Sequence, residues 1–192
     1  QAAKWTGEVG LMVNKRTLPH IVQIVGYKNT GKSTLTAELT SYLSSEGLRV
    51  AVIKHDGHDH FQMDHEGTDS YRFNQAGASA VVVMSEKRTA VIEQQPTSLE
   101  TMLSRLSEYD WILIEGYKAA PYPKLVMIRE EQHVAILQKL EGVMAVVSWF
   151  PKESLHSACS EPDLISEVVW HSVQKPELIA RWLLEHVNIE QS

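Results

Sequence analysis

At 192 residues, the chain is long enough for one α/β domain with a sizeable hydrophobic core and somewhat short for two. Hydrophobic residues make up 43% of the sequence and charged residues 22%, and no apolar run approaches the length of a membrane span, so we expect neither disorder nor a transmembrane helix. The formal net charge of -6 disfavours nucleic acid as a partner, because such binding depends on basic patches.

The cysteine content and the N-terminus indicate a cytoplasmic protein. Cys159 is the only cysteine, so the chain forms no internal disulfide, and the N-terminus lacks the charged-then-apolar pattern of a secretion signal. Residues 1–10 have no clear periodicity. We therefore expect residues 1–18 to be an N-terminal extension or a cloning remnant, and residues 19–192 to form a single domain.

The first predicted elements are a strand, a glycine-rich loop and a helix. The apolar run 21–25 leads into residues 26–34, which match the phosphate-loop pattern GxxxxGK[ST] and precede apolar residues at helical spacing. Glycines at both ends of the loop let successive N–H groups point at one anion, with Lys32 reaching the β and γ phosphates and Ser33 binding Mg²⁺. The alternative is an ordinary strand-to-helix turn. The residues that we predict to contact the nucleotide are Gly26, Asn29, Thr30, Gly31, Lys32, Ser33 and Thr34.

The next segment completes a βαβ unit. The spacing predicts a helix over residues 32–45 that stops at Gly47, because glycine suits the left-handed position after a helix end. The β-branched run 49–54 then predicts a buried strand. A strand, a helix and a strand at this spacing predict a right-handed parallel crossover.

Asp56 is the first acidic candidate, because it follows the second predicted strand. Ligands of open α/β sheets bind at the carboxyl ends of the strands, so this loop should lie near the phosphate loop. A carboxylate there can hold Mg²⁺ directly or through water, or orient the attacking water. The alternative is a solvated loop carboxylate.

A group of histidines in the same loop raises a metal hypothesis. Asp59 and Asp64 lie among them, and close imidazoles could bind Zn²⁺ or Ni²⁺. Loop histidines are often only solvated or hydrogen-bonded, and no thiolate accompanies these, so the metal site is the less favoured interpretation. The histidines are His55, His58, His60 and His65.

The middle of the chain alternates short helices and strands. We predict a helix from Asp69 or Ser70 to Gly77, strands over 80–84 and 89–93, and a helix over 98–107. Within the first of these helices, Arg72 could face the nucleotide or a second substrate, or simply pair with a carboxylate.

Glu115 is the second acidic candidate. It closes the apolar strand 111–114 and precedes Gly116, whereas Asp110 starts that strand and should lie at its far end. In phosphate-loop proteins a carboxylate at the end of a neighbouring strand holds Mg²⁺ or its water. We therefore predict Lys32, Asp56 and Glu115 as catalytic residues, and Ser33, Asp56 and Glu115 as metal ligands.

The remaining elements complete an α/β chain. Strands are predicted over 124–129 and 143–148 with a helix over 131–140 between them, residues 149–167 are expected to be irregular, and residues 176–187 form an amphipathic helix. The predicted fold is a P-loop NTPase of the α/β class, with a mostly parallel twisted sheet and helices on both faces in three α/β/α layers.

These motifs do not select the nucleotide base. The guanine signature Asn-Lys-x-Asp of Ras-like proteins is absent after the late strands, and Asn14-Lys15 precedes the phosphate loop and lacks the aspartate. Guanine specificity would have to come from backbone groups or from other side chains, for example in Ser148-Trp149-Phe150-Pro151.

Four segments of the sequence form a combination more specific than the phosphate loop alone. They are Val25-Gly26-Tyr27-Lys28-Asn29-Thr30-Gly31-Lys32-Ser33-Thr34, Ile53-Lys54-His55-Asp56-Gly57-His58, Asp69-Ser70-Tyr71-Arg72 with Gln75-Ala76-Gly77-Ala78, and Ile114-Glu115-Gly116-Tyr117-Lys118. In this order they resemble the MobB family of molybdopterin-guanine dinucleotide biosynthesis adaptor proteins. The resemblance implies a Mg²⁺- and GTP-binding homodimer that acts mainly as an adaptor, has weak GTPase activity and assists the molybdenum cofactor guanylyltransferase that joins GMP to molybdopterin. It also implies that Gly31, Lys32 and Ser33 contact phosphate and metal, with Asp56 and Glu115 as acidic partners.

Two other functions stay open at this point. A small-molecule kinase would use the same loop, but the sequence has no arginine-rich lid segment. A metal-delivery GTPase of the urease or hydrogenase maturation type would use the histidines, although the cysteine ligands or long histidine tracts common in those proteins are absent.

Overall fold

The computed structural model describes residues 18–57, 64–155 and 167–187, so the predicted extension over residues 1–18 lies, apart from Leu18, outside the described residues. Strands and helices alternate along most of these ranges. In chain order they are β1 (His20–Gly26), α1 (Lys32–Ser45), β2 (Val50–Lys54), α2 (Asp69–Gln75), β3 (Ala80–Met84), β4 (Thr89–Glu93), α3 (Leu99–Arg105), β5 (Trp111–Glu115), β6 (Lys124–Ile128), a 3₁₀ helix (Glu131–Lys139), β7 (Val143–Ser148), a 3₁₀ turn (Lys152–Ser154), β8 (Val169–Ser172) and α4 (Pro176–His186).

Six strands form one sheet in the order β2-β5-β1-β6-β7-β8, and every neighbouring pair in it is parallel. All residues of β5 and β6 are buried, which is why their sequences are nearly continuous apolar runs rather than alternating patterns. The carboxyl ends of all six strands therefore meet at one edge of the sheet, which is where the predicted site residues follow β1, β2 and β5.

Helices cover both faces of this sheet. On one face α1 and α4 pack against β1, β5, β6 and β7 through a single apolar cluster that includes Leu39, Trp111 and Leu183. On the other face α3 packs against β2 and β5, and the 3₁₀ helix packs against β1, β6 and β7. This arrangement confirms the predicted three-layer α/β/α architecture with a mostly parallel sheet.

A second, smaller sheet consists of β3 and β4 alone. The two strands pair antiparallel, with Val82 opposite Val91, and together with α2 they lie outside the six-stranded sheet. No residue of α2 is buried, and Val82, Met84 and Val91 are 54%, 74% and 56% exposed. This α2–β3–β4 segment, called the hairpin unit below, thus presents apolar side chains on its surface.

Two sequence predictions differ from the structure. The helix expected over 131–140 is a 3₁₀ helix, in which residues three apart lie in line, so that Val134 and Leu137 both pack on the sheet. Strand β8 was not predicted, because four residues that include His171 and Ser172 give a weak apolar pattern, and the strand forms by pairing with β7 at the edge of the sheet. None of the helices in the described ranges combines the length and apolarity that crossing a membrane requires.

Candidate functional site

The phosphate loop, residues 26–34, joins β1 to α1 and adopts a backbone that requires glycine at its first position. Gly26 has a φ of 154° and Gly31 a φ of 97°, and Asn29 reaches a φ of 60° without being glycine. A Cβ at Gly26 would lie 2.8 Å from the Met127 carbonyl oxygen and 3.0 Å from Thr30 Oγ1. The loop is therefore seated directly on the backbone of β6.

Hydrogen bonds inside the loop converge on one carbonyl. Thr30 is fully buried, and its Oγ1 donates to the Tyr27 oxygen at 2.9 Å. Lys32 Nζ folds back over the loop and donates to the same oxygen at 2.6 Å. Burial lowers the pKa of the Lys32 ammonium, Glu115 opposes that effect, and the positive charges of Lys118 and Lys54 lower the pKa further.

The N-terminus of α1 is open to an anion. Its N-cap residue is Gly31, which offers no side-chain cap, and no acidic residue lies in the first turn. The first N–H groups of a helix have no partner within the helix and carry a partial positive charge. The loop and the helix start together form the arrangement that binds phosphate in many α/β proteins.

Ser33 and Glu115 are brought together across the sheet, 82 positions apart in the chain. Ser33 Oγ donates to Glu115 Oε1 at 2.8 Å, and Lys54 Nζ lies 3.9 Å from the same carboxylate oxygen. Glu115 is only 9% exposed. A hydroxyl and a buried carboxylate that lie side by side at the start of α1 are suitable ligands for Mg²⁺, because Mg²⁺ prefers oxygen ligands and keeps several waters.

The two other carboxylates near strand ends lie where their positions in the chain predict. Asp110 is at the opposite edge of the sheet, where its Oδ2 accepts a hydrogen bond from the Arg49 N–H at 2.7 Å. Asp56 follows the last residue of β2 by two positions, on the same edge as Glu115, and is partly buried. Its role in metal or water binding stays a prediction.

The structure shows the contacts of Arg72 and of part of the histidine group. Arg72 pairs with Asp69 at 3.4 Å on the surface of α2, which is the second of its two predicted roles. His55 packs against Tyr117 with ring centroids 4.3 Å apart and the rings tilted by 34°, whereas His58 and His60 lie outside the described residues. Among the residues that the structure describes, no three histidine, cysteine or acidic side chains are grouped to hold a metal ion.

Sequence reasoning did not assign Arg129 to the site, and it considered Trp149 only as part of a base-binding segment. Arg129 donates from its guanidinium to the Asn29 oxygen at 2.8 Å, and Trp149 Nε1 donates to the Thr30 oxygen at 2.8 Å. Arg129 directly follows β6, which neighbours β1 in the sheet, and Trp149 directly follows β7, the next strand beyond β6. Their position at the carboxyl ends of β6 and β7 is the signal that could have identified them.

A phosphate loop after the first strand, an open helix start and an acidic residue after a neighbouring parallel strand define the class as P-loop NTPase-like α/β proteins. Residues 21–149 match the family model described as "Molybdopterin guanine dinucleotide synthesis protein B", or MobB. The chain belongs to this family.

Similar proteins and structures carry the same family name. The chain is 35% identical over 137 residues to a molybdopterin-guanine dinucleotide biosynthesis adapter protein of Haemophilus influenzae, covering 69% of this chain and 76% of that protein. It is 34% identical over 125 residues to the protein of the same name from Escherichia coli, covering 62% and 70%. The crystal structure of a MobB homolog from Bacillus stearothermophilus superposes with a TM-score of 0.66 at 26% identity, covering 88% of this chain and 99% of that one.

Proposed function

We propose that the chain is a Mg²⁺-dependent GTP-binding protein with weak GTPase activity, and that it assists attachment of GMP to molybdopterin. The observation that carries the nucleotide part is the 2.8 Å hydrogen bond between Ser33 and Glu115 beside the open start of α1. It supports a site at which a phosphate chain and a divalent cation meet. GTP rather than ATP follows from the family resemblance, and the comparison of the two ligands below tests it.

Each residue has a role that its position supports. The N–H groups of the loop and of the first turn of α1 bind phosphate oxygens, and Lys32 leaves the Tyr27 carbonyl to contact the β and γ phosphates. Ser33 and Glu115 hold Mg²⁺, which when bound offsets charge on the phosphates. Asp56, on the same edge of the sheet, orients a water molecule or contacts the metal through water.

An adapter role agrees with the names of the relatives, which are molybdopterin-guanine dinucleotide biosynthesis adapter proteins. We propose the molybdenum cofactor guanylyltransferase as the partner and the cytoplasm as the location. In this role the protein binds GTP close to the enzyme that consumes it, and its own slow hydrolysis is secondary.

Changing Lys32 to alanine tests nucleotide binding. A charge-assisted hydrogen bond is worth about 1.5–3 kcal/mol and about 1.4 kcal/mol is a factor of ten, so losing the contacts of Lys32 with phosphate should weaken Mg²⁺-GTP binding by about 100-fold. Isothermal titration calorimetry with GTP and with ATP measures both the loss and the base preference.

The matched control for this experiment is Lys139→Ala, which removes an exposed lysine of the 3₁₀ helix. GTP binding equal to that of the unmodified protein is expected for this control. Unchanged GTP affinity in Lys32→Ala would contradict the proposal, and tighter binding of ATP than of GTP would contradict the choice of base.

We also propose that two copies of the chain form a homodimer through the hairpin unit, as the family resemblance implies for the oligomeric state. A two-stranded hairpin is at most marginally stable alone, and clustered exposed apolar side chains mark interaction surfaces. Met84 and Phe73 are 74% and 57% exposed in a single copy. A second copy packed on this surface would bury them.

The double change Val82→Lys and Val91→Lys tests the dimer, because these residues face each other across the hairpin. Sedimentation velocity at micromolar concentration should detect a dimer for the unmodified protein and a monomer for the variant, since the lysines place charges in an apolar contact. The control is Gln138→Lys, an exposed position of the 3₁₀ helix outside the hairpin unit. A monomeric unmodified protein, or a variant that remains dimeric, would refute this interface.

A further inference from the structure

Two side chains from neighbouring strands hold the phosphate loop on one side. Arg129 follows β6 and donates to the Asn29 carbonyl oxygen, and Trp149 follows β7 and donates from Nε1 to the Thr30 carbonyl oxygen, both at 2.8 Å. These contacts join positions 100 and 119 apart in the chain to two successive peptide groups of the loop. Arg129 and Trp149 thus contact the loop from the ends of β6 and β7, whereas Thr30 and Lys32, which also donate to a loop carbonyl, belong to the loop itself.

The direction of a carbonyl fixes the direction of the next N–H group. A peptide bond is planar and trans, so its C=O and N–H groups point in opposite directions. When Arg129 holds the Asn29 carbonyl and Trp149 holds the Thr30 carbonyl, the N–H groups of Thr30 and Gly31 point away from these two side chains. Phosphate binding by a glycine-rich loop requires such aligned N–H groups.

The two side chains also hold each other. The Arg129 guanidinium lies 5.2 Å from the ring centroid of Trp149, within the range of an attractive cation–π contact. The backbone N–H of Trp149 donates to the Ile128 carbonyl at 3.1 Å, which ties the ends of β6 and β7 together. A Cβ at Gly31 would lie 3.3 Å from the Trp149 ring, so the indole packs closely against the loop.

We propose that Arg129 and Trp149 are positioning residues of the nucleotide site, which hold the loop in its phosphate-binding conformation before the ligand arrives. This inference rests on the proposed nucleotide binding. It assigns the pair to the phosphate part of the ligand, so their effect is the same whichever base is attached. Ligand affinity benefits because the cost of ordering the loop is met by these contacts in the free protein.

Trp149→Phe is the most direct test, because it keeps an aromatic ring and removes the N–H donor together with part of the indole bicycle. One lost hydrogen bond should weaken binding of Mg²⁺-GTP, Mg²⁺-ATP and Mg²⁺-tripolyphosphate by the same factor, about 3- to 10-fold. The matched control is Trp170→Phe. The buried Nε1 of Trp170 has no hydrogen-bond partner among the described residues, so this change removes an indole N–H without breaking such a bond.

Arg129→Met and Arg129→Lys provide the second arm. Methionine keeps an unbranched chain but loses the donor, whereas lysine can still donate to the Asn29 carbonyl, so binding should fall in the first variant and be largely rescued in the second. Hydrogen exchange of the Thr30 and Gly31 amides should be faster in Trp149→Phe and Arg129→Met than in the unmodified protein without any ligand. The melting temperature should fall no further than it does in Trp170→Phe, which a general loss of stability would not allow.

Several outcomes would overturn the inference. Unchanged affinity in Trp149→Phe and Arg129→Met would do so, and so would a loss confined to GTP and ATP, because Trp149 would then contact the base. If the unmodified protein binds none of the three ligands, the proposed function fails, and the exchange experiment still decides the present inference. Amide exchange that is the same in all variants would then refute it.

Discussion

The six-stranded sheet and the hairpin unit use the same kinds of residue in different surroundings. Strand β5 is Trp-Ile-Leu-Ile-Glu and is entirely buried, whereas β3 is Ala-Val-Val-Val-Met and only its Val81 is buried. Both are apolar runs of five residues that predict a strand. An apolar run therefore specifies extended structure, while burial depends on which elements pack over the strand.

The difference follows from the connections of each strand. β5 lies between β1 and β2 and is covered by helices on both faces, so its side chains fill two separate cores. Among the residues that the structure describes, β3 pairs with β4 and otherwise packs mainly against the short α2. In a single copy the hairpin unit should therefore open at lower free energy than the sheet.

Truncation of a buried side chain in the sheet should have the largest effect. Leu113→Ala in β5 removes a fully buried residue and should lower the free energy of unfolding by about 2–5 kcal/mol, because a cavity is left in the core. Val82→Ala in the hairpin should change it by about 0.5 kcal/mol or less in dilute protein, because that residue is half exposed. Urea denaturation measures both values.

Measuring the effect of Val82→Ala at several protein concentrations provides a further test. If a second copy covers the hairpin, the cost of Val82→Ala should rise with concentration, since association stabilises the folded state by mass action. A cost similar to that of Leu113→Ala in dilute protein would contradict the view that the hairpin is exposed in one copy.

Loss of an N-cap hydrogen bond should have a smaller effect on the free energy of unfolding, and the caps of α3 and α2 again compare the sheet with the hairpin unit. Ser98 Oγ accepts a hydrogen bond from the Thr101 N–H in α3, and Thr68 Oγ1 accepts one from the Tyr71 N–H in α2. Ser98→Ala should lower the free energy of unfolding by about 1 kcal/mol, because α3 packs on the sheet. Thr68→Ala should barely change global unfolding but speed amide exchange within α2.

The two cap variants are each other's control. Equal losses in global stability would mean that the hairpin unit unfolds together with the sheet. Urea denaturation and hydrogen exchange followed on the same samples distinguish the two cases.

Much of the fold follows from local patterns. The phosphate loop, the boundaries of α1 and the strands β1, β2 and β5 all have signals within a few residues, such as Gly47 after α1, which has a φ of 81°. Strand β8 lacks such a signal because pairing with β7 specifies it. The 3₁₀ winding of residues 131–139 likewise depends on how Val134 and Leu137 meet the sheet.

The candidate site likewise contains residues that the sequence predicted and residues that it did not. The loop residues and Glu115 were predicted because a motif or a strand end marks them. Arg129 and Trp149 contact the loop through bonds that span about half of the chain, and only the strand order brings them beside it. Sequence alone does not give that order, because the apolar pattern of β6 does not determine which strand β6 pairs with.

The lysines around Glu115 give this edge of the sheet a field that opposes the charge of the whole molecule. The chain has a formal net charge of -6, yet Lys54 and Lys118 lie close enough to lower the pKa of the Lys32 ammonium, which Glu115 raises. At about 0.1 M salt, charges more than about 10 Å away are largely screened. An approaching polyanion is thus repelled weakly at long range and attracted at short range, which favours capture at this one edge.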